Sequence, residues 1–404
     1  MTAATPARVV IAGGGVAALE TLIALRELAR DRVEITLIAP NESFGYRPMT
    51  VAEPFGEGHA RSYELTAIAE RFGARVVQDT VAEVAGAEQA LRTGAGQVIH
   101  YDHLVLATGA RATPAYAHAI TFGEDRQEEA IHGLLQDAEE GYVKSIAFVV
   151  PDGTTWSLPL YELALMTARQ TWGMGADWLK LVFVTPESRP LAIFGGAASD
   201  TVAELLESAA IEFVGSSYTT VERGHLVVDP GGRRIDVNRV VTLPRLEGMQ
   251  IPGVPADAGG FVPVDRHGRV TGLAGVYAAG DGIAFPIKQG GLATQQADAV
   301  AETIAAAAGA PIEPEPFRPI LRGKLLTGGD DRFLRGAVAG GGGDPKVANH
   351  ALWWPPTKIA GRYLAPFLFD RDELEAVERI GGEHVHVEAD LDHTGAAGTP
   401  AGLR

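Results

Sequence analysis

The chain has 404 residues, with 34 Lys+Arg against 51 Asp+Glu for a net charge of −17, and with 46% hydrophobic and 21% charged residues. Such a length exceeds one simple core and fits two or three domains of a globular protein, while the negative charge repels phosphate backbones and argues against nucleic-acid binding. Cysteine is absent, which excludes disulfides, thiolate metal sites, Fe–S clusters, a CxxC redox pair and persulfide chemistry on a protein thiol.

In chain order, Val9–Ala12 is predicted as a buried parallel strand, Ala17–Ala29 as a helix and Val33–Ile38 as the second strand of a βαβ unit. The join is Gly13-Gly14-Gly15-Val16-Ala17-Ala18, a G-x-G-x-x-A fingerprint that presents bare backbone N–H groups and a helix N-terminus to a pyrophosphate. Ala39 stands where the fingerprint expects an acidic residue for a ribose, leaving Asn41 or Glu42 as substitutes. The glycines and Glu20 interrupt the N-terminal apolar run, so no secretory leader is read there, and no segment offers about 18 consecutive apolar residues. The expectation is a cytoplasmic protein.

Arg75–Val84 and Gln89–Tyr101 alternate as a small antiparallel excursion, before His103–Leu106 returns as an apolar strand ending in Ala107-Thr108-Gly109. His103 is expected to be a satisfied core histidine. Ser145–Val150, Leu158–Thr171 and Leu179–Val184 restart the strand–helix–strand pattern, so a second doubly wound unit is predicted. Val276–Ala279 and the apolar helix Leu292–Ala308 then need a sheet to join, which makes the first domain discontinuous. The resulting map is α/β, with two Rossmann-like doubly wound domains and a C-terminal arm. Residues 1–140 and 248–325 are expected to form the first, dinucleotide-binding domain, 141–247 the second domain, and 326–404 the C-terminal region with a polar tail.

Two distant motifs carry the chemistry. Gly275-Val276-Tyr277-Ala278-Ala279-Gly280-Asp281 ends a strand with a carboxylate for sugar-like hydroxyls, and its pairing with the glycine fingerprint points to flavin adenine dinucleotide. Lys288-Gln289-Gly290-Gly291 opens the following helix, whose N-terminus, with Lys288, would favour negative charge at the N1/O2 edge of a flavin. Lys288 is the one candidate for a tuning role in catalysis. The second unit has no matching fingerprint: Pro151-Asp152-Gly153-Thr154-Thr155-Trp156-Ser157-Leu158-Pro159 puts proline, charge and bulk where a pyrophosphate needs bare backbone, so nicotinamide binding in the usual manner is not expected.

In the order of GGGVAA, Tyr46-Arg47-Pro48, ATG, the proline-containing loop before Tyr161-Glu162-Leu163-Ala164, Val184-Thr185-Pro186-Glu187 and GVYAAGD, the chain resembles the sulfide:quinone oxidoreductase and flavocytochrome c sulfide dehydrogenase group of two-dinucleotide-binding-domain flavoproteins. The resemblance covers roughly residues 8 to 325. It implies that Gly13, Gly15, Val16 and Ala17 meet the pyrophosphate, Asn41 and Arg47 lie along the FAD, and Thr108 and Gly109 approach it from a neighbouring strand. It further implies that Gly280 and Asp281 bind the ribitol or phosphate, and that Lys288, Gln289, Gly290 and Gly291 face the isoalloxazine. The cysteines with which the group oxidises sulfide have no counterpart here.

The expectation is therefore an FAD-dependent oxidoreductase that takes electrons from a small-molecule donor and passes them to an acceptor, a quinone among the candidates, without cysteine-based sulfide oxidation. An NAD(P)H-dependent reductase of the type II NADH dehydrogenase kind and a flavin-binding protein without turnover stay open as alternatives. Trp353-Trp354-Pro355-Pro356 and Tyr363–Phe369, with Lys358, Arg362 and Arg371, allow either peripheral contact with the inner face of a membrane or an arm packed on the body or on a homodimer partner. His384, His386, Glu388 and His393 have ligand-like composition in a polar tail and are read as solvated, with no metal expected.

Overall fold

The computed structural model describes residues 5–123, 127–338 and 344–380. The chain divides into one compact unit, Met1–Pro366, and a second, Phe367–Arg404. The first part of the larger unit supplies β1 (Ala7–Ala12), helix α1 (Val16–Ala29), β2 (Val33–Ala39), β3 (Arg75–Gln78) and β4 (His103–Leu106). Then come β5 (Ile120–Thr121), β6 (Ser145–Val149), α2 (Leu158–Gly173), β7 (Lys180–Val184), β8 (Ile211–Val214) and β9 (Arg239–Thr242). The last part holds β10 (Val276–Ala278), α3 (Gly290–Ala307), β11 (Ile320–Leu325), β12 (Arg332–Ala337), β13 (Lys346–Ala348) and the start of α4 (Leu364–Ile380).

Two five-stranded parallel sheets organise these elements, in the orders β10-β4-β1-β2-β3 and β5-β9-β6-β7-β8. The fold is α/β with two Rossmann-like regions and a C-terminal strand-and-helix arm. Near-continuous apolar runs such as Val9–Ala12 and Ile146–Val149 form these strands because helices cover both faces, leaving no exposed face for an alternating pattern. In the first sheet the chain proceeds from β1 outward through β2 and β3, then crosses back to β4 and β10. The order therefore reverses between β1 and β4, and a crevice opens beyond their C-terminal ends, where such folds place their ligands.

Two sequence expectations are corrected. Residues 75–78 belong to the parallel sheet, pairing with Thr36–Ala39, and not to the antiparallel excursion. The strands 81–85, 90–93 and 98–100 alone form that antiparallel sheet. An edge strand in a parallel sheet is solvated on one side, so it alternates as an antiparallel strand does. His103 is not the satisfied core histidine expected: burial lowers its pKa, and its Nδ1 is buried without a hydrogen-bond partner among the described residues, with its ring centroid 5.9 Å from that of Tyr277.

The larger unit is closed by a buried carboxylate contact. Glu20 on α1 is fully buried and accepts the backbone N–H groups of Arg362, Tyr363 and Leu364 at 2.7, 2.9 and 2.7 Å, which are the unpaired donors at the start of α4. Asp298 on α3 faces it. Burial raises both carboxyls, but three N–H bonds favour the charged form of Glu20, so the proton sits on Asp298, which burial and the Glu20 charge push up to about 8. The segment before α4 is thereby held on the body, with Ile359, Ala360 and Leu364 buried, while Trp354 is exposed. The histidines of the tail lie outside the described residues. Among the described residues no helix is long and apolar enough to cross a membrane, and no cluster of ligand side chains could hold a metal ion.

Two outcomes follow from this packing. Gly13 has φ +133°, and a Cβ there would lie 2.1 Å from the Ala107 carbonyl oxygen, whereas a Cβ on Gly15 meets nothing within 4 Å. Gly13→Ala is therefore expected to lose on the order of 3 kcal/mol of stability and Gly15→Ala less than about 1 kcal/mol, read from denaturant midpoints. As the pH rises from about 4 to about 8, unfolding releases a proton that the folded Asp298 still holds, so this group subtracts stability across that window and no further above it. Asp298→Asn should flatten the decline in unfolding free energy between those limits, measured by urea titration at a series of pH values.

Candidate functional site

The glycine loop after β1 is built for two separate close approaches. Gly13 donates its N–H to the Ile38 carbonyl at 2.7 Å and lies flat against Ala107, which locks the loop between β2 and β4. Gly15 then caps α1 with no side-chain hydrogen bond, no acidic residue occupies the first helical turn, and the space beside its Cα is open. Unpaired N–H donors at the positive end of a 14-residue helix, with nothing in front of them, suit a phosphate.

The other predicted residues gather at the same edge. Ala279 donates to Leu106 O at 3.1 Å, carrying the end of β10 beside the end of β4. Gly280, at φ +85°, approaches Ala17 of α1 so closely that a Cβ would lie 3.0 Å from its methyl, and its N–H donates to the Gln296 side chain at 2.8 Å. Gly109 faces open space, with its carbonyl oxygen 3.0 Å from where a Cβ on Gly282 would stand. Gly13, Gly15, Thr108, Gly109, Gly280 and Asp281 thus meet at the crevice where the strand order reverses. Asn41 and Arg47 lie beyond the end of β2, both exposed. This cradle fits a dinucleotide: bare backbone at one helix N-terminus, and a carboxylate on the neighbouring strand end.

Asp281 and Lys288 form the charged part of the site. Burial raises the Asp281 pKa, and the nearby Lys288 opposes the shift. Lys288 is lowered to about 8 by burial, against the opposing charges of Asp281 and Asp257. Its Nζ donates to Ile283 O and sits 3.7 Å from the Phe261 ring centroid, so a cation–π contact replaces part of its lost hydration. Gln289 does different work from the approach to an isoalloxazine that the resemblance implies: its side chain caps α3 by accepting from Leu292 N at 2.8 Å and donates to Arg322 O at 3.1 Å. Gly290 and Gly291 are small because the C-terminal segment passes over them; Cβ atoms there would lie 3.0 Å from Ile359 and 3.1 Å from the Gln289 side chain.

Lys288 also lines a cavity of about 590 Å³, walled by Trp156, Leu243, Leu246, Phe261 and Phe285. Trp156 comes from the loop after β6 and Phe285 from the loop after β10, so the two sheets each contribute one wall. Arg245, Asp152 and Asp257 supply charges of both signs. The arrangement suits a small, partly apolar molecule next to a cation.

At the end of β7 in the second sheet a carboxylate is engaged by its own neighbours, beside the cavity that opens between the ends of β6 and β9. Glu187, just past the end of β7, accepts hydrogen bonds from Ser157 Oγ, Tyr161 Oη and Thr185 Oγ1 at 3.1, 2.8 and 3.1 Å. An acid in that position is where a nucleotide ribose would be bound. Here burial raises its pKa, the three hydroxyls oppose the shift, and Tyr161 stacks on Phe183 with centroids 4.0 Å apart. No local pattern marks Glu187 for this role, because two of the three hydroxyls that engage it come from a loop and helix 30 and 26 residues away. A second missed pair is Lys358, whose Nζ lies 2.7 and 2.6 Å from the two carboxylate oxygens of the fully buried Glu162. These residues are 196 apart in sequence, and no local signal connects them.

Comparison with known proteins gives a consistent picture. Residues 7–148 match the model of the pyridine nucleotide-disulphide oxidoreductase family. The sulfide-quinone reductase of Aquifex aeolicus (strain VF5) is 27% identical over 272 residues, 62% of this chain and 60% of that protein, so the chain matches less than two thirds of this relative's length. The X-ray structure of the sulfide:quinone oxidoreductase from Aquifex aeolicus superposes with a TM-score of 0.76 at 20% identity, covering 93% of this chain and 91% of the other. A ferredoxin reductase from Rhodopseudomonas palustris superposes with a TM-score of 0.62 at 21% identity, covering 82% and 83%. At such identities the superpositions establish the fold. The match to the pyridine nucleotide-disulphide oxidoreductase family is thus carried by residues 7–148, and the chain has the fold of, and resembles, a sulfide:quinone oxidoreductase, but without a single cysteine.

Proposed function

We propose that the chain is an FAD-dependent oxidoreductase in which a small-molecule donor binds in the cavity beside Lys288 and the electrons leave to a separate acceptor, with a quinone the first to test. The observation that carries this reading is the cavity itself. It opens at the ends of β6 and β9, is walled by loops from both sheets and borders Lys288, while Glu187, the acid placed to meet a nucleotide ribose, is engaged by Ser157, Tyr161 and Thr185. A nicotinamide nucleotide would need that acid and a bare loop 151–159 for its adenosine half; a compact donor needs only the cavity. The quinone follows the name of the Aquifex aeolicus relative, sulfide-quinone reductase. With no cysteine in the chain, no protein thiol takes part in the transfer.

In this reading the dinucleotide is held by Gly13, Gly15, Val16 and Ala17 at the pyrophosphate, by Thr108, Gly109, Gly280 and Asp281 along the strand ends, and by Asn41 and Arg47 beyond β2. FAD, when bound, supplies the acceptance and release of electron pairs. The protein's part is to orient it, to keep water from the cavity with Trp156, Phe261 and Phe285, and to hold positive charge at Lys288. A lysine whose pKa lies near 8 is partly neutral in mildly alkaline solution, so its contribution is proton-dependent. The domain division expected from sequence, with residues 1–140 and 248–325 around the cofactor and 141–247 as the second domain, accompanies this proposal.

Anaerobic mixing of the flavin-loaded protein with NADH, NADPH and non-nucleotide donors tests the reading directly. Rapid loss of the flavin absorbance with a nicotinamide nucleotide would overturn it, and reduction by a compact donor followed by reoxidation with a soluble quinone would support it. Lys288→Ala is expected to lower the flavin midpoint potential by about 30 mV or more, the equivalent of tenfold in a two-electron equilibrium. Lys288→Arg should retain most of it, and the wild-type potential should lose its excess over the alanine variant as the pH passes about 8.

A further inference from the structure

The three-stranded antiparallel sheet β11-β12-β13 has one face in the core and one outside it. Leu321, Leu325 and Leu334 point inward, and Gly323 and Gly336 admit Phe194 so closely that Cβ atoms on them would lie 2.7 and 3.2 Å from it. Alternation then puts Arg322, Lys324, Phe333, Arg335 and Lys346 on the opposite face. Register aligns three of them in one row: Arg322 stands opposite Arg335, and Arg335 opposite Lys346.

Like charges directly opposite one another destabilise an antiparallel pair. A neighbouring carboxylate ordinarily relieves this, and one residue along it does: Lys324 pairs with Asp331 at 3.1 Å. None of Arg322, Arg335 and Lys346 has an ion-pair partner among the described residues, in a chain with 17 more acidic than basic side chains. The Arg335 Nε is buried with no hydrogen-bond partner, and a buried guanidinium N–H left unpaired is costly. Arg322 is pushed below its ordinary pKa by burial and then by the Arg335 charge. A wall stands along the row's flank, where Trp353 packs edge-on against Phe333 with centroids 5.1 Å apart and is anchored by its Nε1–H to Thr357 O at 3.0 Å.

We infer that the outward row Arg322–Arg335–Lys346 is an anion-binding site that takes an oxyanion, the phosphate or carboxylate group of a small molecule. Two guanidinium forks and an ammonium offer donors to such a group in the geometry that arginine provides for phosphate and carboxylate. The three strands span about 10 Å at about 4.8 Å per step, which matches a diphosphate better than a lone phosphate. The site is separate from the glycine cradle, and it stands whether or not the flavin reading holds.

Thermal unfolding of the full-length protein in chloride buffer, with inorganic phosphate or pyrophosphate added at constant ionic strength, tests the inference. The melting temperature is expected to rise saturably, with pyrophosphate acting at lower concentration. Arg335→Gln should abolish this response while melting at or above the wild type in oxyanion-free buffer, because a repulsion has been removed; a merely structural arginine would lower the melting temperature there. Lys346→Gln, at an exposed position, should fold normally and weaken the apparent affinity about tenfold. Sedimentation with phosphatidylglycerol vesicles, against phosphatidylcholine, separates the sources. Pelleting with the anionic lipid alone, lost in Arg335→Gln, assigns the oxyanion to a lipid headgroup, and a phosphate response without pelleting assigns it to a soluble molecule. A flat wild-type response together with no pelleting overturns the site, as does an undiminished response in both variants.

Discussion

A Cβ on Gly13 would lie 2.1 Å from the carbonyl oxygen of Ala107, so β1 and β4 leave the first sheet in backbone contact. This contact sets the width of the crevice. It brings the N-terminus of α1 to the ends of β4 and β10, and the Ala279-to-Leu106 hydrogen bond repeats the arrangement on the other side. Gly280 against Ala17 then closes α1 onto the loop after β10. The predicted cofactor residues share one edge because three strand ends are clamped this way, with Gly13 and Gly280 at the two places where a side chain would intrude.

Buried charge distinguishes the rest of the larger unit. Glu20 with Asp298, Glu162 with Lys358, and Asp281 with Lys288 lie in or near the interior, and each is kept by a different device. Glu20 is held by three helix-start N–H groups and a protonated neighbour, Glu162 by an ammonium bonded to both its oxygens, and Lys288 by an aromatic face. Removing one partner of such a pair costs more than the pair contributes, because the remaining charge is stranded. Glu20 and Glu162 bind the segment 358–364 to helices from two different sheets, and that segment lies over the start of α3. The covering of the site therefore depends on the same buried groups that hold the unit together.

The two sheets share an architecture but differ at their crevices. In the first, glycine leaves the helix start bare. In the second, Ser157, Tyr161 and Thr185 surround Glu187, and a proline stands early in α2. The loop 151–159 serves both features, supplying Trp156 to the cavity wall and Ser157 to the carboxylate.

Gly13, Gly15, Gly280 and Asp281 could be read from sequence because each sits at a strand end, where local pattern and backbone demand coincide. The same local logic sets the loop 151–159 apart from the glycine loop, since its proline, charge and bulk are visible in the residues themselves. It failed for β3, whose edge position imitates an antiparallel strand, and for the sheet β11-β12-β13, where proline and glycine obscured a regular alternation. The roles of Glu20, Asp298, Glu162 and Lys358 were invisible, since a lone charged residue carries no mark of burial and its partners lie in distant parts of the chain. The sequence determined the fold class and the glycine cradle, because short-range sterics and apolar periodicity act along the chain. Only the tertiary structure decided which charges are buried, which hydroxyls engage Glu187 and which cations stand in a row, because those depend on groups that meet across space.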